Sequence, residues 1–241
     1  YGVSIEGGSL TVNAGHMAGS DGIYSNGGNV NISGGTVNIH AGRDGIFIPG
    51  DGVFESGEQT VNITGGDVTI KADNPGVGAW GYGVYAKSVR IDTEGKVEIY
   101  GSDIAVALPK ANGKAEILNM GEGSSISISE NSPYREIYVW YPSNTPVTIA
   151  PADYSAVDAA EAQARALNAD DYKDFSAVTA ALAAVDRSKN LLQQTQVDAM
   201  AQAILNAIAN LEEKPKPQAP SSEQPAAETP QKANPKTGAA C

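Results

Sequence analysis

The chain has 241 residues, 41% of them hydrophobic, a formal net charge of −12 and one cysteine. Its acidic balance argues against nucleic acid or an anionic membrane as partner, and no run of 18 apolar residues is present to span a bilayer. The single Cys241 is the last residue and cannot staple a fold, so a disulfide scaffold is excluded too.

Length sets a prior of one or two domains, and the composition is uneven. Glycine concentrates before residue 124, alanine between 150 and 210, and proline after 214. The charge divides into about −8 for residues 1–150, −6 for 151–213 and +2 for 214–241. These three segments are the expected units. No leader is visible, and the chain opens in mid-repeat at Tyr1-Gly2-Val3, which reads as part of a longer protein.

In the first segment apolar and polar residues alternate in short runs separated by glycine, as in Val30-Asn31-Ile32 and Val37-Asn38-Ile39. Period-2 alternation predicts half-buried strands, each too short to stand without neighbours. The neighbours recur every 27 to 31 residues and define four columns. These are Val3/Val30/Val61/Val89, Ile5/Ile32/Ile63/Ile91, Leu10/Val37/Val68/Val97 and Val12/Ile39/Ile70/Ile99. A third strand per repeat is expected at Ile23-Tyr24, Ile46-Phe47, Val84-Tyr85 and Ile104 to Val106. Three strands per repeat without helices predict a right-handed parallel β-helix of about five coils, with Gly-Gly pairs at the corners. Ala115/Ile117 and Ile126/Ile128 fit the fifth coil, and residues 137–149 are expected to close the stack.

From Ala152 the period lengthens to about 3.6 residues. Val157, Ala160, Ala164 and Leu167 form one stripe, Val178, Ala181, Leu182 and Val185 a second, and Val197, Ala201, Ile204, Ile208 and Leu211 a third. Ser155 and Ser176, each after an aromatic residue, are expected to cap the first two helices, and Thr195 the third. The result is a small three-helix bundle with a thin core. Beyond Glu213 six prolines in 28 residues predict a disordered, extended tether.

The run Leu167-Asn168-Ala169-Asp170-Asp171-Tyr172-Lys173-Asp174-Phe175-Ser176-Ala177-Val178 resembles FIVAR-type helical modules of Gram-positive surface proteins. That resemblance implies a spacer over roughly residues 153–212. Asn234-Pro235-Lys236-Thr237-Gly238 is similar to a sortase sorting signal with Asn in first place. The similarity implies attack by a sortase cysteine on the Thr237 carbonyl, transfer to peptidoglycan and an extracellular, wall-attached location. The hydrophobic segment and basic tail of such signals do not follow Gly238. The coil phrases "DGIYSNG", "GGTVNIHAG" and "GGDVTIKAD" resemble the carbohydrate-binding β-helix family of clostridial surface proteins related to polysaccharide lyases. It implies a polygalacturonate-type glycan as ligand, with calcium as cofactor.

On the residues themselves, Asp21 and Asp44 begin equivalent strands in successive coils. Stacked carboxylates would repel, and a calcium ion would relieve this, although Asp-Gly also simply makes a turn. Trp80, Tyr82 and Tyr85 follow an insertion and could stack on sugar rings, whereas Trp140 and Tyr141 near the end fit a core better. The motif Gly76-Val77-Gly78-Ala79-Trp80-Gly81 precedes a strand, so it is no phosphate loop. His16 and His40 lack zinc partners in sequence and read as outward polar residues. A lyase would need a basic group near calcium, and Arg90 with Lys71 and Lys87 is the nearest candidate set; a hydrolase would need paired acids on one groove. The expectation is a non-catalytic, wall-anchored protein that binds an extracellular polysaccharide, with a β-helix enzyme or a purely structural stalk as alternatives.

Overall fold

A computed structural model describes residues 2–15, 19–50, 58–73 and 80–215 of the chain. His16, residues 51–57 and 74–79 of the two insertions, and the chain from 216 onward, including Asn234 to Gly238, lie outside the described residues.

The glycine-rich segment winds into a parallel β-solenoid of about five turns. One sheet runs through β1 (Val3–Ile5), β2 (Ser9–Ala14), β4 (Val30–Ala41), β6 (Thr60–Ala72), β8 (Ser88–Asp92), β9 (Val97–Gly101), β11 (Ala115–Asn119), β12 (Ser125–Ile128) and β14 (Val147–Ile149). The other stacks β3 (Ile23–Tyr24), β5 (Ile46–Phe47), β7 (Tyr82–Tyr85), β10 (Ile104–Leu108) and β13 (Ile137–Val139). All four expected columns are in register, Val3 on Val30 on Val61 on Val89 and likewise for the others. The third strands also stack, with Val106 on Val84 and Ile23 on Ile46.

Side chains alternate across each strand, so one residue in two enters the tube. Val30, Ile32, Ile63, Ile70, Ile91 and Ile99 are completely buried, each contributing about 1.5–3 kcal/mol. The fifth coil places Ala115 on Val89, Ile117 on Ile91 and Ile126 on Ile99, which leaves Ile128 above Gly101. At the corner inside β4 and β6 stand Gly35 and Gly66, with Gly8 as their first-coil equivalent, at φ of +83°, +81° and +77°. A methyl group on Gly66 would run into the Gly35 carbonyl, whereas one on Gly8 would meet nothing.

Residues 137–149 do close the stack, through β13 on β10 and β14 on β11. The closure has a second part that the sequence did not announce. Leu191 donates its N–H to the Ala150 carbonyl, Pro151 bridges to Asn190, and Leu191 and Leu192 pack on the solenoid core. The double change Leu191→Ala, Leu192→Ala is therefore expected to cost about 2 kcal/mol and lower the solenoid melting temperature by about 5 °C. Thermal melts followed through the β-sheet circular dichroism signal read this directly.

Three helices follow, α1 (Ser155–Arg165), α2 (Ser176–Ala183) and α3 (Gln194–Ala209). Val157, Ala160, Ala164, Val178, Val197, Ala201 and Ile204 meet in their own small core. The caps differ from expectation. Asp153 and Asp174 accept from the backbone N–H of Ser155 and Ser176, so aspartate is the capping side chain and serine the capped residue. An ionised carboxylate accepts more strongly than a hydroxyl. Thr195 lies inside α3, and the entry is made instead by a capping box of Asn190 and Gln193 on the short turn Leu191–Gln193. Among the described residues no helix is long and apolar enough to cross a membrane.

Candidate carbohydrate-binding face

Outside the tube, the second sheet carries a row of rings. The outward residue of each strand is Tyr24, Phe47, Tyr85, Ala107 and Tyr138, in register along the axis. Ring centroids are 6.0 Å apart for Tyr24–Phe47 and 4.8 Å for Phe47–Tyr85. The place left open by Ala107 is taken by Trp140, 6.3 Å from Tyr85 and 5.0 Å from Tyr138. Trp80 flanks the row, stacked 6.2 Å from Tyr82 and tilted 5.0 Å from Tyr134.

Not every ring is a surface. Tyr82 is only 7% exposed and, with Ile104 and Ala107, forms the floor on which the others rest. Burial pushes its phenol well above the ordinary value and raises that of Tyr85, with Asp44 adding to both. Tyr24, Trp80 and Trp140 offer open faces at 56%, 46% and 40% exposure. Trp80, Tyr82 and Tyr85 thus come together as the sequence suggested, but as part of a longer row. Tyr24, Phe47, Tyr134 and Tyr138 were missed, although Gly-Ile-Tyr, Gly-Ile-Phe and Gly-Val-Tyr repeat an aromatic at one register position. Trp140 and Tyr141 are not core as expected: β13 ends at Val139, and both side chains are exposed, Tyr141 by 53%.

Two aspartates fix the segment that carries Trp80. Asp103 accepts from the Gly81 N–H at 2.8 Å and Asp44 from the Tyr82 N–H at 3.1 Å. The Asp103 carbonyl accepts from the Ser132 hydroxyl, which in turn accepts from the Tyr134 N–H. One residue therefore holds both Trp80 and Tyr134 in place. Rings held by ordered backbone lose little freedom when a ligand settles on them.

Asp21 and Asp44 do lie close together, but the Arg43 guanidinium stands between them. It donates to both oxygens of Asp21 at 2.9 and 2.7 Å and lies 3.0 Å from Asp44 Oδ2, 4.9 Å over the Phe47 ring. The oxygens a calcium ion would need are committed to Arg43 and the Tyr82 N–H, and Asp44 is 2% exposed. The pair does not fit the ion, and Arg43 supplies the counter-charge that stacked carboxylates require. Among the described residues no group of three or more His, Cys, Asp or Glu is arranged to hold a metal.

Burial pushes the Asp44 carboxyl up to about 7, against the Tyr82 N–H and Arg43, which pull it down. The folded chain then keeps a proton that the unfolded chain has lost. This group's contribution to stability is complete below the ordinary carboxylate range and is lost as the pH rises toward 7. Asp44→Asn is expected to flatten the melting-temperature profile between pH 4 and 7, and an unaltered slope would contradict the assignment.

Of the basic groups considered for a lyase, Arg90 and Lys87 line one cleft and Lys71 another. Arg90 points from the first sheet and pairs with Asp92 and Glu116, whereas Lys71 borders a different cleft with Asp73, Glu98 and Tyr100. Lys87 lines the Arg90 cleft with Glu58 and Glu116. His40 is outward, as expected, but has a partner in Asp73 at 2.7 Å. A cleft of about 700 Å³ lies at the closed end among Ile137, Val147, Ile149 and Leu192 and belongs to the seam with the helices.

No curated protein and no solved structure matches the chain. A family model described as "carbohydrate-binding domain-containing protein" matches residues 2–132, which include β1 to β12 and with them Tyr24, Phe47, Trp80, Tyr82 and Tyr85. By that match over more than half of its length, this solenoid with its outward row of rings belongs to the carbohydrate-binding domain-containing protein family.

Proposed function

We propose that the protein binds a polysaccharide outside the cell by stacking sugar rings on the aromatic row of the second sheet. The observation that carries this is the register of Tyr24, Phe47 and Tyr85, continued by Trp140 and Tyr138 and flanked by Trp80. A pyranose presents a flat C–H face that complements an aromatic plane, and exposed, pre-fixed rings repeated along one line suit a repeating polymer. The row uses no metal in this scheme, and no catalytic pair is needed for it.

The remaining segments give the setting. The helices act as a FIVAR-like spacer, and the tail with Asn234, Pro235, Lys236, Thr237 and Gly238 as a sortase substrate that attaches the chain to peptidoglycan. The proline content and the pentapeptide support this role. We take the winding as right-handed, as parallel crossovers almost always are. Affinity electrophoresis through gels containing soluble polysaccharides tests the binding role. Retardation of the native chain, reduced in Trp80→Ala and Trp140→Ala, is expected; retardation that both variants keep in full would refute the site.

A further inference from the structure

The tilts of the rings decide in which physical state a glycan can settle on them. We infer that the row binds an isolated, conformationally free glycan chain and not the flat face of an ordered polysaccharide solid; this rests on the binding role proposed above. A crystalline face is planar and rigid, so it adsorbs well only to rings that share one plane. A free chain turns about its glycosidic bonds and presents successive sugars at different angles.

Neighbouring rings of the row are tilted against one another. Phe47 is inclined 43° to Tyr24 and 46° to Tyr85, and the Arg43 guanidinium lies 4.9 Å over it. Trp140 is turned 66° from Tyr85 and 85° from Tyr138, so it stands across the line of rings. The nearest to a parallel pair among the described rings is Trp80 with Tyr82, at 18°, and Tyr82 is buried. Trp80 is thus 18° from the Tyr82 plane while Trp140 is 82° from it, which leaves the two indoles at least about 64° apart. A flat surface laid on one tryptophan meets the other edge-on.

The fold holds both indoles at these angles. Trp80 precedes Gly81, whose N–H is bound by Asp103, and its ring leans on Tyr134 at 5.0 Å. The Trp140 backbone N–H donates to the Leu108 carbonyl at 3.2 Å, and its ring is wedged between Tyr85 and Tyr138. Both indoles lie within 6.3 Å of the Tyr82 ring, so one short chain reaches both. Once a sugar rests on one indole, the next part of the same chain is held near the other at high effective concentration. A rigid face forgoes that second contact and keeps too little area to offset the cost of association. Only C–H faces are involved, and neutral and acidic pyranoses share these, so the restriction applies to both.

Cellulose, mannan and polygalacturonate test this with the full chain, each as a soluble six-unit oligosaccharide and as an ordered solid. The solids are microcrystalline cellulose, crystalline mannan and calcium-set polygalacturonate. Isothermal titration gives the affinity for each soluble chain, and depletion from suspension gives that for each solid, per accessible surface sugar. For every polymer whose soluble chain binds, binding to the solid at least about tenfold weaker is expected, and binding of the single sugar weaker by a similar factor. A solid bound with more than a tenth of its soluble chain's affinity, or a single sugar that matches the six-unit chain, overturns the inference and leaves the aromatic site standing. Binding of none of the soluble chains or solids overturns the binding role itself. So does full affinity for the six-unit chain kept by both Trp80→Ala and Trp140→Ala, which would remove the site.

Discussion

Gly66→Ala is expected to destabilise the solenoid by about 3–4 kcal/mol, while the same change at Gly8 costs about 1 kcal/mol. Both glycines adopt nearly the same left-handed conformation, φ +81° and +77°, so both pay the penalty of about 1–2 kcal/mol for a side chain there. The difference lies in the stacking. A Gly66 methyl meets the Gly34 and Gly35 backbone of the coil beneath, while a Gly8 methyl meets open space. Backbone in a hydrogen-bonded ladder cannot step aside as a side-chain tip can, and overpacking of this kind adds roughly 1–3 kcal/mol. Denaturant melts of the two variants give the difference directly. Equal losses would mean that the coils do not rest on one another at this corner.

The second large effect concerns binding. Trp80→Ala is expected to weaken glycan affinity about tenfold or more, which corresponds to about 1.4 kcal/mol or more. Trp80 is held at its base by the Gly81 N–H on Asp103, leans on Tyr134 and keeps nearly half of its surface open. A ring so placed is ordered before the ligand arrives, so its contact area is gained at small entropic cost. Trp140→Ala should weaken binding by a similar factor, because its ring joins Tyr85 to Tyr138 across Ala107. Melting temperatures of both variants close to that of the native chain would show that the loss is local. Unchanged affinity in both would place the ligand elsewhere.

The solenoid was legible because stacking imposes repetition: a residue above Ile32 faces the same interior as Ile32, so Ile63 and Ile91 had to be alike. The row of rings was legible only in part. Trp80, Tyr82 and Tyr85 stand close in sequence, but Trp140 and Tyr138 reach the row from the closing coil, and nothing local marks them as outward. Arg43 was hidden for a related reason, since its partners Asp21 and Asp44 lie one coil apart on one side and adjacent in sequence on the other. Helix caps were misread because Asp-x-Ser offers two oxygen-bearing side chains, and the geometry of the turn selects the first. The contribution of Leu191 and Leu192 depends on where the helices return, which a helical period does not encode.

Both tryptophans of the chain, Trp80 and Trp140, stand on the proposed face. Intrinsic tryptophan fluorescence of the unmodified protein, titrated with a glycan that retards it in affinity gels, therefore reports on that face alone. A saturable change in emission, with a midpoint matching the calorimetric affinity, is the predicted result. Saturated binding with an unaltered tryptophan spectrum would contradict it.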